Sequence, residues 1–503
     1  MWNRVVLLWV LGGLAGVPSR AAEPQNFLPQ TEPLTLNGDL SAQMVEGIDR
    51  FLMRELDRSV KERAKLWHRN FASHRAYEKS ITPNRERFKK YLGVVDPRVP
   101  EPKLELVSSP ERPAKLAETD QVVVYAVRWP VLDGVFGEGL LLAPKAQPTA
   151  CVVAVPDADQ TPEMLAGLMP GIAPEAQFAR RLAEQGCVVL VPTLVNREDT
   201  WSGNEALKRF TNQPHREWIY RQAFELGRHI IGYEVQKILA AVDWFAGTNT
   251  LPHSDVRAPG ANIGVIGYAE GGLLAFYSAA LDSRIRAAVV SGYFGSRQRV
   301  WEEPIYRNVF GLLHEFGDAE IASLVAPRAL IIEHSEAPRL QGPPAARDGR
   351  RGAAPGQWST PDFSGVETEF NRAAALTRPL HNELELEHGN EGMPVGPGSD
   401  YVLKELVELL NRSENAETAA DPAPEGAQPD PARTLKLEGI EPDIHERQRR
   451  QVEELRQFTQ RLLREAERAR DEFFWKPLAS APTNDWASAC NSMRELFWEE
   501  VIG

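Results

Sequence analysis

Residues able to do chemistry gather at the ends of strand-like runs. The most informative stretch is Asn262–Asp282, NIGVIGYAEGGLLAFYSAALD. An apolar, β-rich run enters a turn with Gly267, Gly271 and Gly272, and a helix follows. A strand-to-helix turn of the form G-x-S-x-G exposes a serine nucleophile for acyl transfer, and its glycines let the backbone turn sharply and pack closely. Here the central position is Ala269, flanked by Tyr268 and Glu270. Alanine has no group that can attack a carbonyl. The nearest serine, Ser278, lies two helical turns later. Other chemistry-bearing residues sit after neighbouring runs: Asp157 in Val155-Pro156-Asp157, Glu336 in His334-Ser335-Glu336-Ala337-Pro338, and His388 and Glu391 in Glu387-His388-Gly389-Asn390-Glu391-Gly392. Two carboxylates about 5 Å or about 6.5–9.5 Å apart could act as a glycosidase pair. Glu270, Glu336 and Glu391 could also join His388 around a divalent metal. No H-x-x-x-H or C-x-x-C spacing supports that, so neither a metal nor a cofactor is expected. The bland role for Glu270 is that of a carboxylate at a helix N-terminus.

These turns need a sheet to hold them. Strand-like runs occur at 122–127, 139–142, 151–155, 187–191, 263–267, 287–291, 329–334 and 383–387. The central ones are short, continuous and β-branched, which suits parallel strands buried on both faces. Helical patterns intervene at about 174–185 and 225–246. The alternation predicts one α/β domain over 100–411, with a doubly wound, mainly parallel sheet. Ligands of such sheets bind beyond the carboxyl ends of the strands.

In these residues the chain resembles the α/β-hydrolase superfamily, in its dienelactone hydrolase and acetyl xylan esterase-like branch. Gly227–Phe245 looks like that branch's helix before the elbow strand, and Asp318–Ser335 like its helix and strand before the acid loop. The resemblance covers roughly residues 120–411 and implies carboxylic-ester hydrolysis. The departures are as informative. Ala269 stands at the nucleophile position, Glu336 replaces the usual Asp, and Glu391 falls in the histidine's place with His388 slightly early. Asp157 stands where a His-Gly pair is common in the oxyanion loop. A triad acts as a unit, so losing its nucleophile removes covalent catalysis. The resemblance therefore implies a degenerate, non-catalytic domain. Tyr268, Glu270 and Asp157 would line its ligand crevice, and the ligand would be a carbohydrate or small ester. The competing readings are an esterase with its serine elsewhere and an assembly module.

The flanks set the context. Residues 1–21 read as a secretory signal: Arg4, then the uncharged run Val5–Val17, then Ser19-Arg20-Ala21. Thirteen residues fall short of the roughly 20 needed to span a bilayer, so a secreted or periplasmic protein is expected, with no membrane attachment after signal removal. The net charge of −13 argues against nucleic acid as principal partner. Cys151 and Cys187 open two apolar runs and read as free buried thiols. A helical prelude and connector occupy 22–99, with Val45, Ile48, Phe51, Leu52 and Leu56 on one helix face. Residues 412–441, rich in Ala, Pro, Glu and Asp, read as a flexible linker.

Residues 442–503 read as a helical segment that repeats the prelude. At an offset of 407, Val45, Glu46, Phe51, Arg54 and Leu56 meet Val452, Glu453, Phe458, Arg461 and Leu463, and Leu66 and Trp67 meet Phe473 and Phe474. Two residues further in offset, Arg85, Glu86 and Phe88 meet Arg494, Glu495 and Phe497. Since the first prelude leads into an α/β domain, the second suggests a further hydrolase-like domain as partner, a homo-oligomer being the alternative. Val452, Leu455, Thr459, Leu462, Ala466, Ala469 and Phe473 form a 3-4 seam expected to dock within the chain. The aromatic set Trp201, Trp218, Tyr220, Tyr293, Phe294, Trp301 and Tyr306 is expected to pack insertions onto the sheet, with stacking on sugars the alternative. Arg339, Arg347, Arg350 and Arg351 are expected to be solvated, with attraction of an acidic polysaccharide the alternative.

Overall fold

The computed structural model describes residues 30–32, 34–247, 250–252, 258, 260, 262–412, 437, 443–480, 482 and 484–502. The signal at 1–21, and all of the linker at 412–441 except Arg412 and Leu437, lie outside the described residues. The chain forms two compact units, divided between Glu55 and Leu56. In the first unit, Asp39 opens helix α1 (Leu40–Glu62) by accepting main-chain bonds from Ser41 and Ala42. Val45, Ile48, Phe51 and Leu52 of this helix are exposed.

The second unit is built on a ten-stranded sheet. Its strands are β1 (Glu105–Leu106), β2 (Lys115–Glu118), β3 (Val122–Leu132), β4 (Val135–Pro144), β5 (Ala150–Val155), β6 (Cys187–Pro192), β7 (Ile263–Tyr268), β8 (Ile285–Ser291), β9 (Ala329–Glu333) and β10 (Leu384–Glu387). Their order is β1-β3-β4-β6-β5-β7-β8-β9-β10, with β2 paired to β3. From β6 to β10 every pairing is parallel, whereas β3–β4 and β4–β6 are antiparallel. The continuous apolar runs are thus buried on both faces. Strand order reverses between β5 and β7, which makes a crevice at the carboxyl ends of those two strands.

Helices cover both faces: α2 (His74–Tyr91), α3 (Phe178–Glu184), α4 (His215–Phe224), α5 (Ile230–Ala246), α6 (Glu270–Leu281), α7 (Asp318–Val325), α8 (Phe363–Thr377) and α9 (Asp400–Asn411). One expectation is refined here. The helix anticipated at 225–246 begins only at Ile230, because Gly227 turns with φ +67° and the His229 ring accepts from Ile231 N. Cys151 and Cys187 are free and buried on adjacent strands. Cys151 pairs in register with Val188, and Cys187 with Ala150, so successive residues send the two thiols to opposite faces of the sheet.

Beyond Asp443 the chain returns to the sheet as α10 (Ile444–Arg470), followed by α11 (Trp486–Phe497). The first half of the seam docks as expected: Val452, Leu455 and Phe458 are buried, and Phe458 meets Tyr233 of α5 edge-on at 5.8 Å. Fully burying each such side chain contributes roughly 1.5–3 kcal/mol. Ion pairs fix the docking. Arg447 forks onto buried Glu163 at 2.8 and 2.7 Å, and Arg450 onto Glu138 at 3.0 and 2.7 Å. The second half differs, since Ala469 and Phe473 are exposed. Among the described residues no helix is long and apolar enough to cross a membrane.

Candidate functional site

The elbow forms where the sequence places it. β7 ends at Tyr268, Ala269 turns the chain with φ 57° and ψ −112°, and α6 begins at Glu270. A non-glycine residue at such an angle costs on the order of 1–3 kcal/mol and persists only where its surroundings enforce it. The glycines do that here. A Cβ on Gly267 would lie 2.0 Å from the Gly271 carbonyl oxygen, one on Gly271 2.2 Å from that of Val155, and one on Gly272 2.7 Å from that of Ser291. Ala269 N also donates to Ser291 O at 2.9 Å. The strained turn is intact, and the side chain it presents is a methyl group, fully buried.

The next question is whether an oxyanion could be held. In such an elbow the donors are the N–H after the central residue and an N–H from the loop after the neighbouring strand. The first is Glu270 N, and it donates to Asp157 Oδ1 at 3.2 Å. In the second loop Pro156 has no N–H, and Asp157 N donates to Gln160 Oε1 at 3.2 Å. An internal carboxylate therefore occupies the seat that a developing oxyanion would need.

Asp157 is held there by Arg197, whose Nη1 and Nη2 fork onto its two oxygens at 2.6 and 3.0 Å. Burial opposes ionisation of Asp157, yet Arg197 draws its pKa below the ordinary value. Glu270 is not a solvated helix-end carboxylate. It is fully buried and meets Arg216 at 3.1 Å, Arg307 at 3.1 Å and Arg197 at 3.4 Å. Burial again opposes its charge, and the three guanidinium groups outweigh it, so its pKa is lowered. Arg216 is shared with Glu234 at 2.8 Å, and Arg307 with Glu303 at 2.6 Å. Tyr268 is largely buried and donates to Glu336 O at 2.8 Å, and burial pushes its hydroxyl up to about 12.

Glu336 borders the elbow through its main chain, and its side chain, like those of His388 and Glu391, turns to solvent. Glu336, His388 and Glu391 are exposed, and among the described residues none of their side chains bonds to Ala269, Glu270 or each other. His388 Nδ1 lies 2.8 Å from Gly389 O, and its ring packs edge-on against Phe363 at 4.6 Å. Glu391 sits in the left-handed region with φ 54°. The carboxylate buried at the end of β9 is instead Glu333, which accepts from Gly398 N and Ser399 N at 2.8 Å each. Among the described residues no group of histidines, cysteines and acids is placed to hold a metal ion. Two cavities, of about 280 and about 380 Å³, are lined by residues such as Arg297, Arg307 and His314, and Lys65, His68 and Arg87. Neither is lined by Asp157, Tyr268, Ala269 or Glu270.

Sequence reasoning missed Arg197, Arg216 and Arg307. The available signal was a charge set inside an apolar or aromatic run, as in His215-Arg216-Glu217-Trp218-Ile219-Tyr220 and Ile305-Tyr306-Arg307-Asn308-Val309. The aromatic set mainly packs: Tyr220, Tyr293, Phe294 and Tyr306 are buried, while Trp301 is exposed. Arg347 and Arg350 bond to Asp199.

A neighbouring acid gives the network a pH signature. Burial raises the Asp318 carboxyl to about 7, and its Oδ1 has no hydrogen-bond partner. In the unfolded chain this group titrates near 3.8. Between those values only the unfolded chain ionises, so stability falls as pH rises from 3.8 to about 7 and levels above it. Asp318→Asn removes that loss. Urea titration should show the variant gaining on the order of 2–4 kcal/mol relative to wild type between pH 4 and pH 8. An equal difference at both pH values would contradict it.

Residues 138–309 match the dienelactone hydrolase family. No curated protein matches the chain in sequence. Among solved structures it is similar to a glucuronoyl esterase from Solibacter usitatus (14% identity, TM-score 0.42, 67% of this chain and 93% of that one). It is also similar to acetyl xylan esterase 1 from Thermoanaerobacterium (13%, 0.38, 65% and 92%) and to a glucuronoyl esterase from Teredinibacter turnerae (11%, 0.43, 67% and 85%). The sheet order and the glycine-enforced elbow are those of the α/β-hydrolase fold, and residues 138–309 within it are similar to the dienelactone hydrolase family.

Proposed function

We propose that the domain is a degenerate hydrolase that has exchanged ester cleavage for a structural or binding role outside the cytoplasm. The observation that carries this is the Asp157 carboxylate on Glu270 N. A preorganised oxyanion donor is worth about 2.7–4 kcal/mol of transition-state stabilisation. Here the donor is spent, and a negative charge stands where negative charge would develop. The missing nucleophile at Ala269 and the exposure of His388 and Glu391 support the same reading. Among the described residues no serine hydroxyl bonds to a histidine ring, so a substitute nucleophile-base pair is not in place.

The test is turnover of p-nitrophenyl acetate together with labelling by a fluorophosphonate probe. Wild type and Ala269→Ser should both lack turnover and serine labelling, because restoring the hydroxyl supplies neither a base nor an oxyanion seat. Stoichiometric labelling of a serine in the wild type would establish the competing reading, a carboxylic-ester hydrolase with its nucleophile elsewhere.

A further inference from the structure

The C-terminal segment leaves an aromatic surface uncovered. Trp486 and Phe497 of α11 are exposed by 46% and 52%, and Phe473, Trp475, Trp498 and Ile502 are exposed beside them in sequence. Such a surface suits an interface rather than solvent.

What it fits can be read from α2. At an offset of 409, Tyr77, Arg85 and Phe88 of α2 meet Trp486, Arg494 and Phe497 of α11. In α2 these residues form a complete interface with the α/β domain. Tyr77 donates to Ser323 O at 2.8 Å. Arg85 donates to Ala280 O at 2.9 Å and to Leu324 O at 3.0 Å, which satisfies end carbonyls of both α6 and α7. Phe88 is fully buried, 5.1 Å from both Tyr277 and Phe316. The chemistry recognised is therefore the paired C-terminal ends of the elbow helix and the helix after it. Trp486, Arg494 and Phe497 offer an aromatic, a guanidinium and an aromatic at the same spacing.

The segment meets this chain's α2 through an ion pair of Glu500 with Lys90, but two positions argue against this chain's own α6–α7 surface as the target. Asn84 and Arg87 of α2 satisfy the buried Glu315 carboxylate, at 2.6 Å and at 2.6 and 2.7 Å. α11 has Met493 and Leu496 there. Set against Glu315, they would leave a buried carboxylate unpaired. We propose that residues 484–502 dock onto a second α/β-hydrolase domain, one without a prelude of its own and with an apolar residue where this chain has Glu315. The partner's α6- and α7-like helices would take Arg494 and Phe497. This does not depend on whether either domain is catalytic, because the helices presented are the same.

The experiment uses the full chain with residues 484–500 grafted in place of 75–91, with and without Glu315→Leu. In wild type, Glu315→Leu strands Asn84 and Arg87 and lowers Tm. In the graft it removes an unpaired carboxylate and raises Tm, by about 3–5 °C for a unit of this size. Replacing the grafted Arg494 and Phe497 with alanine should abolish that gain. A version that keeps the α2 backbone guards against a graft that cannot fold: Asn84→Met with Arg87→Leu should lower Tm, and adding Glu315→Leu should restore it. If Glu315→Leu lowers Tm in every background, the proposal is wrong. A wild-type dimer in light scattering that Arg494→Ala and Phe497→Ala dissolve would also overturn it, by making a second copy the occupant.

Discussion

Glu270→Ala is expected to cost the protein about 3–5 kcal/mol, the range for breaking a buried ion pair by removing one partner. The cost comes less from lost attraction than from what remains. Arg216 and Arg307 are fully desolvated, and Arg197 nearly so. Glu234, Glu303 and Asp157 each keep one of these arginines partnered, but Glu303 is shared with buried Arg297, so four guanidinium groups face three carboxylates and one positive charge is left in excess. Glu270→Gln keeps the shape and an acceptor, and should lose less. Urea denaturation at pH 7, followed by tryptophan fluorescence, measures both. If Glu270→Ala proved neutral, the arginine cluster would have to be hydrated, and the sealed elbow would be wrong. Because the network also positions Asp157, the variant tests the blocked oxyanion seat through stability alone.

Gly271→Ala should cost at least about 3 kcal/mol, the upper end of the usual range for overpacking. The added Cβ would lie 2.2 Å from Val155 O and 2.4 Å from Pro156 O. Both are main-chain atoms at the end of β5, so no rotamer change can clear them. Gly186→Ala is the control. It has φ +88° with nothing within 4 Å of its Cβ, so only the left-handed backbone penalises it, by about 1–2 kcal/mol. Comparable losses in the two variants would mean that close helix–strand approach does not hold the elbow. A large gap would show that the turn is enforced by packing, which is how it can persist around an alanine.

The sequence by itself determined the sheet, the elbow and the alanine at its centre. Those features are local: β-branched runs of strand length, glycines at a turn, and one residue type at one position. It likewise placed the second helical segment from 442 onward, and α10 opens there at Asp443, whose side chain accepts from Glu446 N as a helix cap should. Only the tertiary structure decided what surrounds Ala269. Asp157, Arg197, Arg216, Glu270 and Arg307 come from separate loops and helix ends. No periodicity relates them, and a charged residue in a loop is ordinarily solvated. Burial inverts that expectation, because a desolvated carboxylate must find guanidinium partners. The same reason separates the two helical segments. Tyr77, Arg85 and Phe88 resemble Trp486, Arg494 and Phe497 in sequence, yet the first set is buried under α6 and α7 and the second is exposed. A motif states what it can contact. Whether a complementary surface is within reach is settled only when the chain has folded.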